Sequence, residues 1–253
     1  MSDGACRRAQ SQRGGDSTPC RRAQSHVVGV ALLLAITTIS MGALTAGVGS
    51  VVESNAAAAD ADRVTDSLAA IDPSKSTGVE RHDLAFGEGR LTVEPRTVRL
   101  LDGDGVVAEH EVGAIVFEAG DHRVTFLAGA VARGEGNASI LDETPPIATG
   151  DGLLLVGLPV LNANGTASVA GEGVSATLRT DTGHDRRKLG RGEYRLAVET
   201  ATPGAWERYF AETNASASRR TFAGDEHGSV VAAFPGERTG YLVVHETELG
   251  VET

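Results

Sequence analysis

Val27 to Val52 reads VVGVALLLAITTISMGALTAGVGSVV, an uncharged apolar run that decides how the rest of the chain is to be read. At about 1.5 Å of rise per residue, a helix over this stretch exceeds the ~30 Å hydrocarbon core of a bilayer, so it spans with some tilt. Secretory signal cores are shorter and are removed. The flanks are asymmetric. Residues 1–25 hold Arg7, Arg8, Arg13, Arg21 and Arg22 against Asp3 and Asp16, whereas Glu53, Asp60 and Asp62 follow the run. The bias of basic residues toward the cytoplasm puts the N-terminus inside and everything after Val52 outside the cell.

Past the run the helical pattern continues. Ser54 to Ile71 is rich in alanine, the best helix former, and Val64, Leu68 and Ile71 fall on one face at spacings of four and three. Asp72-Pro73 then stops the helix, which is expected from about Val27 to Ile71. Inside the apolar run Gly42, Ala43, Ala46 and Gly47 place small residues four apart, a spacing that lets membrane helices approach closely without a hydrophobic driving force.

Arg22-Ala23-Gln24-Ser25 and the apolar helix behind it resemble the class III signal of archaeal type IV pilins and archaellins, and most of all haloarchaeal pilin-type proteins. The resemblance covers residues 22 to about 60. It implies a prepilin peptidase cutting between Ala23 and Gln24 on the cytoplasmic face, with the helix kept in the mature protein. It divides the chain into a basic leader (1–23), a transmembrane helix with an extracellular extension (24–72) and an extracellular domain (73–253). It further implies self-assembly, or assembly with other pilin subunits, through the N-terminal helix. One departure stands out: the fifth mature residue is Val28 and not the Glu of bacterial pilins, so no assembly step through that carboxylate carries over. The motif is also duplicated, Cys6-Arg7-Arg8-Ala9-Gln10-Ser11 recurring as Cys20 to Ser25, and only the second copy abuts the apolar run. An uncleaved signal anchor is the competing reading of the N-terminus.

Composition narrows the function further. The net charge is −11 with 34 acidic and 23 basic residues, and Lys75 and Lys188 are the two lysines. Residues 1–25 account for five Arg and two Asp, so their subtraction leaves a balance of −14. Such an acidic, lysine-poor surface suits a halophilic protein and argues against nucleic-acid binding, which needs a basic footprint. Both cysteines, Cys6 and Cys20, lie in the leader, so the mature domain relies on packing instead of disulfides. Asn137, Asn164 and Asn214 head Asn-x-Ser/Thr sequons, all on the outer side, and make the protein a candidate glycoprotein.

From Val79 onward short β-prone segments alternate with Gly, Asp and Pro: Arg90–Glu94, Thr97–Leu101, Val106–Glu109, Ala114–Glu118, Arg123–Val131, Leu153–Leu161, Val174–Arg179, Tyr194–Glu199, Val230–Phe234 and Tyr241–Leu249. Asp102-Gly103-Asp104-Gly105 reads as a hairpin turn. Pro203 to Glu212 breaks the series as a helix, with Thr202 at its N-cap, Pro203 at its first position and Trp206, Tyr209 and Phe210 on an apolar stripe. Trp206 is assigned to the core. The fold class is therefore α+β: a long transmembrane helix, then an antiparallel β-sandwich-like domain with one short packed helix.

Catalytic and cofactor patterns are missing. The histidines sit beside acids, as in His82-Asp83, His184-Asp185 and His245-Glu246, but none shows paired zinc-ligand spacing. Asp102 to Gly105 lacks the later ligands of a calcium loop. Gly87-Glu88-Gly89 and Gly134-Glu135-Gly136 open no helix and carry acids that repel phosphate. Arg186-Arg187-Lys188 is the strongest basic patch outside the leader; it is read as a loop that balances the acidic surface or meets an acidic neighbouring subunit. The expected protein is a non-enzymatic, pilin-like surface protein without metal or cofactor, in the cell membrane or a surface filament, acting in adhesion or cell-surface contact. The alternative is a permanently anchored single-pass envelope protein whose β domain binds a ligand or glycan.

Overall fold

The computed structural model describes residues 20–75, 77–103, 105–150, 152–163 and 168–252, with side chains from Val28 onward. It divides into two compact units, Met1–Val51 and Val52–Thr253. Helix α1 (Cys20–Ala69) carries the apolar run and supplies residues to both.

In the first unit the described side chains of α1 are all exposed, Leu44 at 73% and Met41 at 76%. Its few polar side chains fold back on the helix. Thr37 and Thr38 donate to the carbonyls of Leu33 and Leu34, Thr45 to Met41 and Ser50 to Gly47. Hydroxyls that bond back to the carbonyls of their own helix suit hydrocarbon, where no water takes up a spare donor. This is one helix long and apolar enough to cross a membrane.

In the second unit the end of α1 becomes core. Ala61, Val64, Leu68 and, just past the helix, Ile71 are buried among Leu84, Phe86, Leu91, Ile115, Phe117 and Leu178. The face anticipated from Val64, Leu68 and Ile71 is the buried face. Asp60, 2% exposed, accepts the Glu88 N–H at 3.1 Å and pairs with Arg63, so the helix is also held at the extended Gly87-Glu88-Gly89 backbone. Gly89 is required there: its φ is +154°, and a Cβ would stand 2.7 Å from the Phe117 ring.

Among the described residues twelve strands form one sheet. They are β1 (Gly78–Asp102), β2 (Gly105–Ala119), β3 (His122–Leu127), β4 (Ala130–Arg133), β5 (Ile140–Glu143), β6 (Ile147–Gly150), β7 (Leu153–Ala163), β8 (Ser168–Gly192), β9 (Tyr194–Glu199), β10 (Ser216–Arg220), β11 (Ser229–Ala233) and β12 (Arg238–Glu252). The spatial order is β5-β4-β3-β2-β1-β8-β12-β7-β6, with β9, β11 and β10 branching from β1. Pairing is antiparallel except β12 with β7. Strands β2 and β7 are not ladder neighbours, yet a Cβ on Gly113 would lie 2.6 Å from the Leu161 carbonyl. The sheet thus wraps until these strands face each other. Val112, Ala114, Val116, Val156, Leu158 and Val160 fill the space between, and the alternate residues Ile115 and Phe117 face the end of α1.

The strands are longer than the punctuation in the sequence predicts. Pro95 interrupts nothing, because β1 pairs with β8 only up to Thr92 and with β9 only from Val98. On that edge Pro95 sits in the gap between two partners, where its missing N–H costs no ladder bond. The predicted strand Arg123–Val131 divides instead, at a turn where Ala128 and Gly129 both take positive φ.

Helix α2 (Pro203–Glu212) occupies the predicted residues and buries Trp206, Tyr209 and Phe210 in the inner core. Thr202 stands at the N-cap without a side-chain cap bond. The cap comes from elsewhere: the Ala205 N–H donates to Ser139 Oγ at 3.1 Å, while Thr202 bonds to Thr200. Burial pushes the Tyr209 phenol up to about 12, and its hydroxyl donates to the Ile147 carbonyl.

Candidate functional site

Residues Arg22, Ala23, Gln24 and Ser25 lie in the backbone of α1, and their side chains are outside the described residues. Gly42, Ala43, Ala46 and Gly47 are exposed, and beyond the helix's own neighbouring backbone no atom approaches within 4 Å of a Cβ built on Gly42 or Gly47.

The sequons differ in access. Asn137 is exposed, but its side-chain oxygen accepts from Arg219 at 2.6 Å, and the Ser139 hydroxyl is buried in the α2 cap and donates to Gly136. Asn214 is at the surface with φ +64°, on the turn after α2, with Ser216 also exposed. Asn164 lies outside the described residues.

A trough of about 810 Å³ lies on the second unit beside the turn that follows α1. Its floor comes from strands β7, β12 and β8, through Leu155, Gly157, Tyr241, Val243, His245, Arg186 and Lys188. Pro145, Pro146, Ile147 and Ala148 form one wall, and Ser74, in the turn after α1, closes an end. Register explains the grouping. Tyr241 pairs with Lys188, Val243 with Arg186 and His245 with His184, and cross-strand partners share a face. Leu242 and Val244, the intervening residues, point into the inner core. Gly157 keeps the wall close: the Pro146 carbonyl lies 2.8 Å from where its Cβ would be.

Arg186-Arg187-Lys188 is thus not on a loop but inside β8. Arg187 is engaged, donating to the Val107 carbonyl at 2.9 Å. Lys188 Nζ stands over the Tyr241 ring at 5.9 Å, and neither Arg186 nor Lys188 has an ion pair among the described residues. An acidic chain has here a cationic rim above an aromatic floor. The alternation Tyr241-Val243-His245 was the one available signal in the sequence, and it named a strand face without saying what lay opposite.

Among the described residues no three of His, Cys, Asp or Glu come together as metal ligands. Two histidines do meet. His184 Nδ1 and His245 Nδ1 are 2.7 Å apart, and His184 Nε2 is 2.8 Å from Thr77 Oγ1. One Nδ1 must donate and the other accept, so the pair tolerates a single proton between them. Burial, then His184 and Arg186, hold His245 below its ordinary value of 6.5, against the opposing pull of Asp72. On β7 it faces Pro159, which carries no charge. The unfolded chain therefore takes up the proton first as pH falls, so the contribution to stability is complete above pH 6.5 and is lost below it. The melting temperature is expected to fall on acidification through this range, and His245→Phe to flatten that slope. An unchanged slope in thermal melts of the variant would remove His245 as the cause.

A model of a family of unknown function, DUF7289, matches residues 22–250. No curated protein and no solved structure matches the chain.

Proposed function

The chain belongs to this family of unknown function, and we propose that it is a pilin-like, membrane-anchored surface protein, non-enzymatic, with its β domain outside the cell. The observation that carries the reading is the division of labour along α1. One part is apolar and bare, and the other supplies Ala61, Val64 and Leu68 to the core of the sheet. A helix of this kind serves as a bilayer anchor before assembly, and its bare part serves as the packing surface once subunits come together. The exposed small residues Gly42, Ala43, Ala46 and Gly47 fit that use. The family match also begins at Arg22, the first residue of the peptidase-type motif, and leaves the first copy of the motif outside. The partners under this reading are the membrane, a prepilin peptidase and other copies or pilin subunits.

The deciding experiment is mass spectrometry of the N-terminus, on protein from native membranes and from sheared surface material. Gln24 is expected as the first residue in both fractions. An intact leader running through Arg21-Arg22 in all material overturns the pilin reading and leaves a signal-anchored envelope protein. The trough favours a ligand-binding β domain under either reading, since an aromatic floor beneath unpaired cations is the makeup of a binding pocket more than of a passive surface.

A further inference from the structure

We propose that the trough on β7, β12 and β8 binds an acidic saccharide, its anionic group held by Arg186 and Lys188 and the apolar face of a sugar ring laid against Tyr241. The inference rests on reading the β domain as a ligand-binding module and is independent of cleavage after Ala23.

Three observations specify the ligand. The first is charge: Arg186 and Lys188 emerge on one face of β8 without an acidic partner among the described residues, in a chain of net charge −11. Repulsion by the remaining surface disfavours diffuse binding of anions, so an anion held here is held by direct contact, and the planar fork of an arginine suits a carboxylate or sulfate. The second is the floor. Tyr241, Val243, Leu155 and Ile147 are half-buried or exposed apolar groups lining the trough, which calls for a ligand with an apolar face beside its charge. A pyranose ring bearing an acid has both. The third is the backbone. Strands β7 and β12 are paired on both sides at the floor, β7 with β6 and β12, and β12 with β7 and β8, whereas β8 over residues 183–192 has β12 as its ladder partner among the described residues. An acidic peptide bound as an added strand needs a free edge, and the edge offered by β8 runs beside the trough, so a strand added there would leave Tyr241 and the apolar floor uncovered. About 810 Å³ lies within the usual size of ligand pockets and holds more than one sugar ring.

The site is preformed. Ladders fix Arg186 opposite Val243 and Lys188 opposite Tyr241, and the Gly157 N–H donates to the Pro146 carbonyl at 2.8 Å, pinning the wall to the floor. Little ordering remains for the ligand to impose.

The test is isothermal titration of the full chain in detergent micelles with an oligogalacturonate, a sulfated oligosaccharide of similar length, a neutral galacto-oligosaccharide and a glutamate-rich peptide. Binding of one or both acidic saccharides is expected, with the neutral sugar and the peptide at least about tenfold weaker. The double variant Arg186→Gln, Lys188→Gln, changed only at exposed side chains, is expected to lose about tenfold or more in affinity. Tyr241→Ala is expected to lose several-fold, and Tyr241→Phe to bind like the unaltered chain, since stacking needs the ring and not the hydroxyl. Binding of the carboxylated or of the sulfated sugar alone identifies the anion and supports the site. Failure of both acidic sugars to bind, equal binding of the neutral sugar, tighter binding of the peptide, or unaltered affinity in the double variant each overturns the proposal. A chain that begins at Gln24 and ignores sugars would sink the site while leaving the pilin reading intact.

Discussion

Replacing Leu68 by alanine is expected to destabilise the second unit by about 3 kcal/mol, the middle of the range for emptying a leucine site in a packed core. Leu68 is fully buried where the end of α1 meets Leu84, Phe86, Leu91 and Phe117, and the Phe86 and Phe117 rings already pack at 5.0 Å between centroids. These rings are held on neighbouring strands and have little room to collapse into the space. For a unit of this size about 3 kcal/mol corresponds to a fall in melting temperature on the order of 10 °C. Leu44→Ala, at a position 73% exposed, is the control and is expected to leave melting in detergent unchanged. Equal melting of the Leu68 variant and the unaltered chain would mean that the helix end is not seated on the sheet. The pilin reading would then lose its main support.

The second large effect concerns Glu199. At the end of β9 its carboxylate, 2% exposed, accepts the Thr97 N–H on one oxygen at 2.8 Å and the N–H groups of Glu226 and His227 on the other at 2.8 and 3.0 Å. It thereby closes the gap in which β1 changes partner and holds the loop before β11. That loop carries Asp225, which pairs with the buried Arg99. Glu199→Ala strands three donors and is expected to cost about 2–4 kcal/mol, with urea midpoints as the readout. Glu199→Gln is expected to do almost as badly, because an amide offers one acceptor oxygen and turns its NH2 toward donors. Limited proteolysis should cut near residues 221–228 in both variants. Full stability of the glutamine variant would show that the contact is replaceable by water.

How far each feature was legible follows from where its determinants lie. The apolar run, the Val64-Leu68-Ile71 face and the Trp206-Tyr209-Phe210 stripe are periodic patterns within one segment, and each appears in the structure where periodicity places it. Strand length was misjudged because Pro95 and the glycines were taken as breaks. Whether a proline interrupts a strand depends on whether a neighbour needs its N–H, and that neighbour is far away in sequence. The cap of α2 was assigned to the adjacent Thr202 for the same reason, while the bond comes from Ser139.

By itself, then, the sequence determined the long apolar helix, the second helix and the alternation of a β domain, since these depend on hydrophobic period and local propensity. The tertiary structure alone decided the trough, the histidine pair and the role of Glu199. Each joins residues from strands whose register is settled only when the whole sheet wraps and both of its faces are buried.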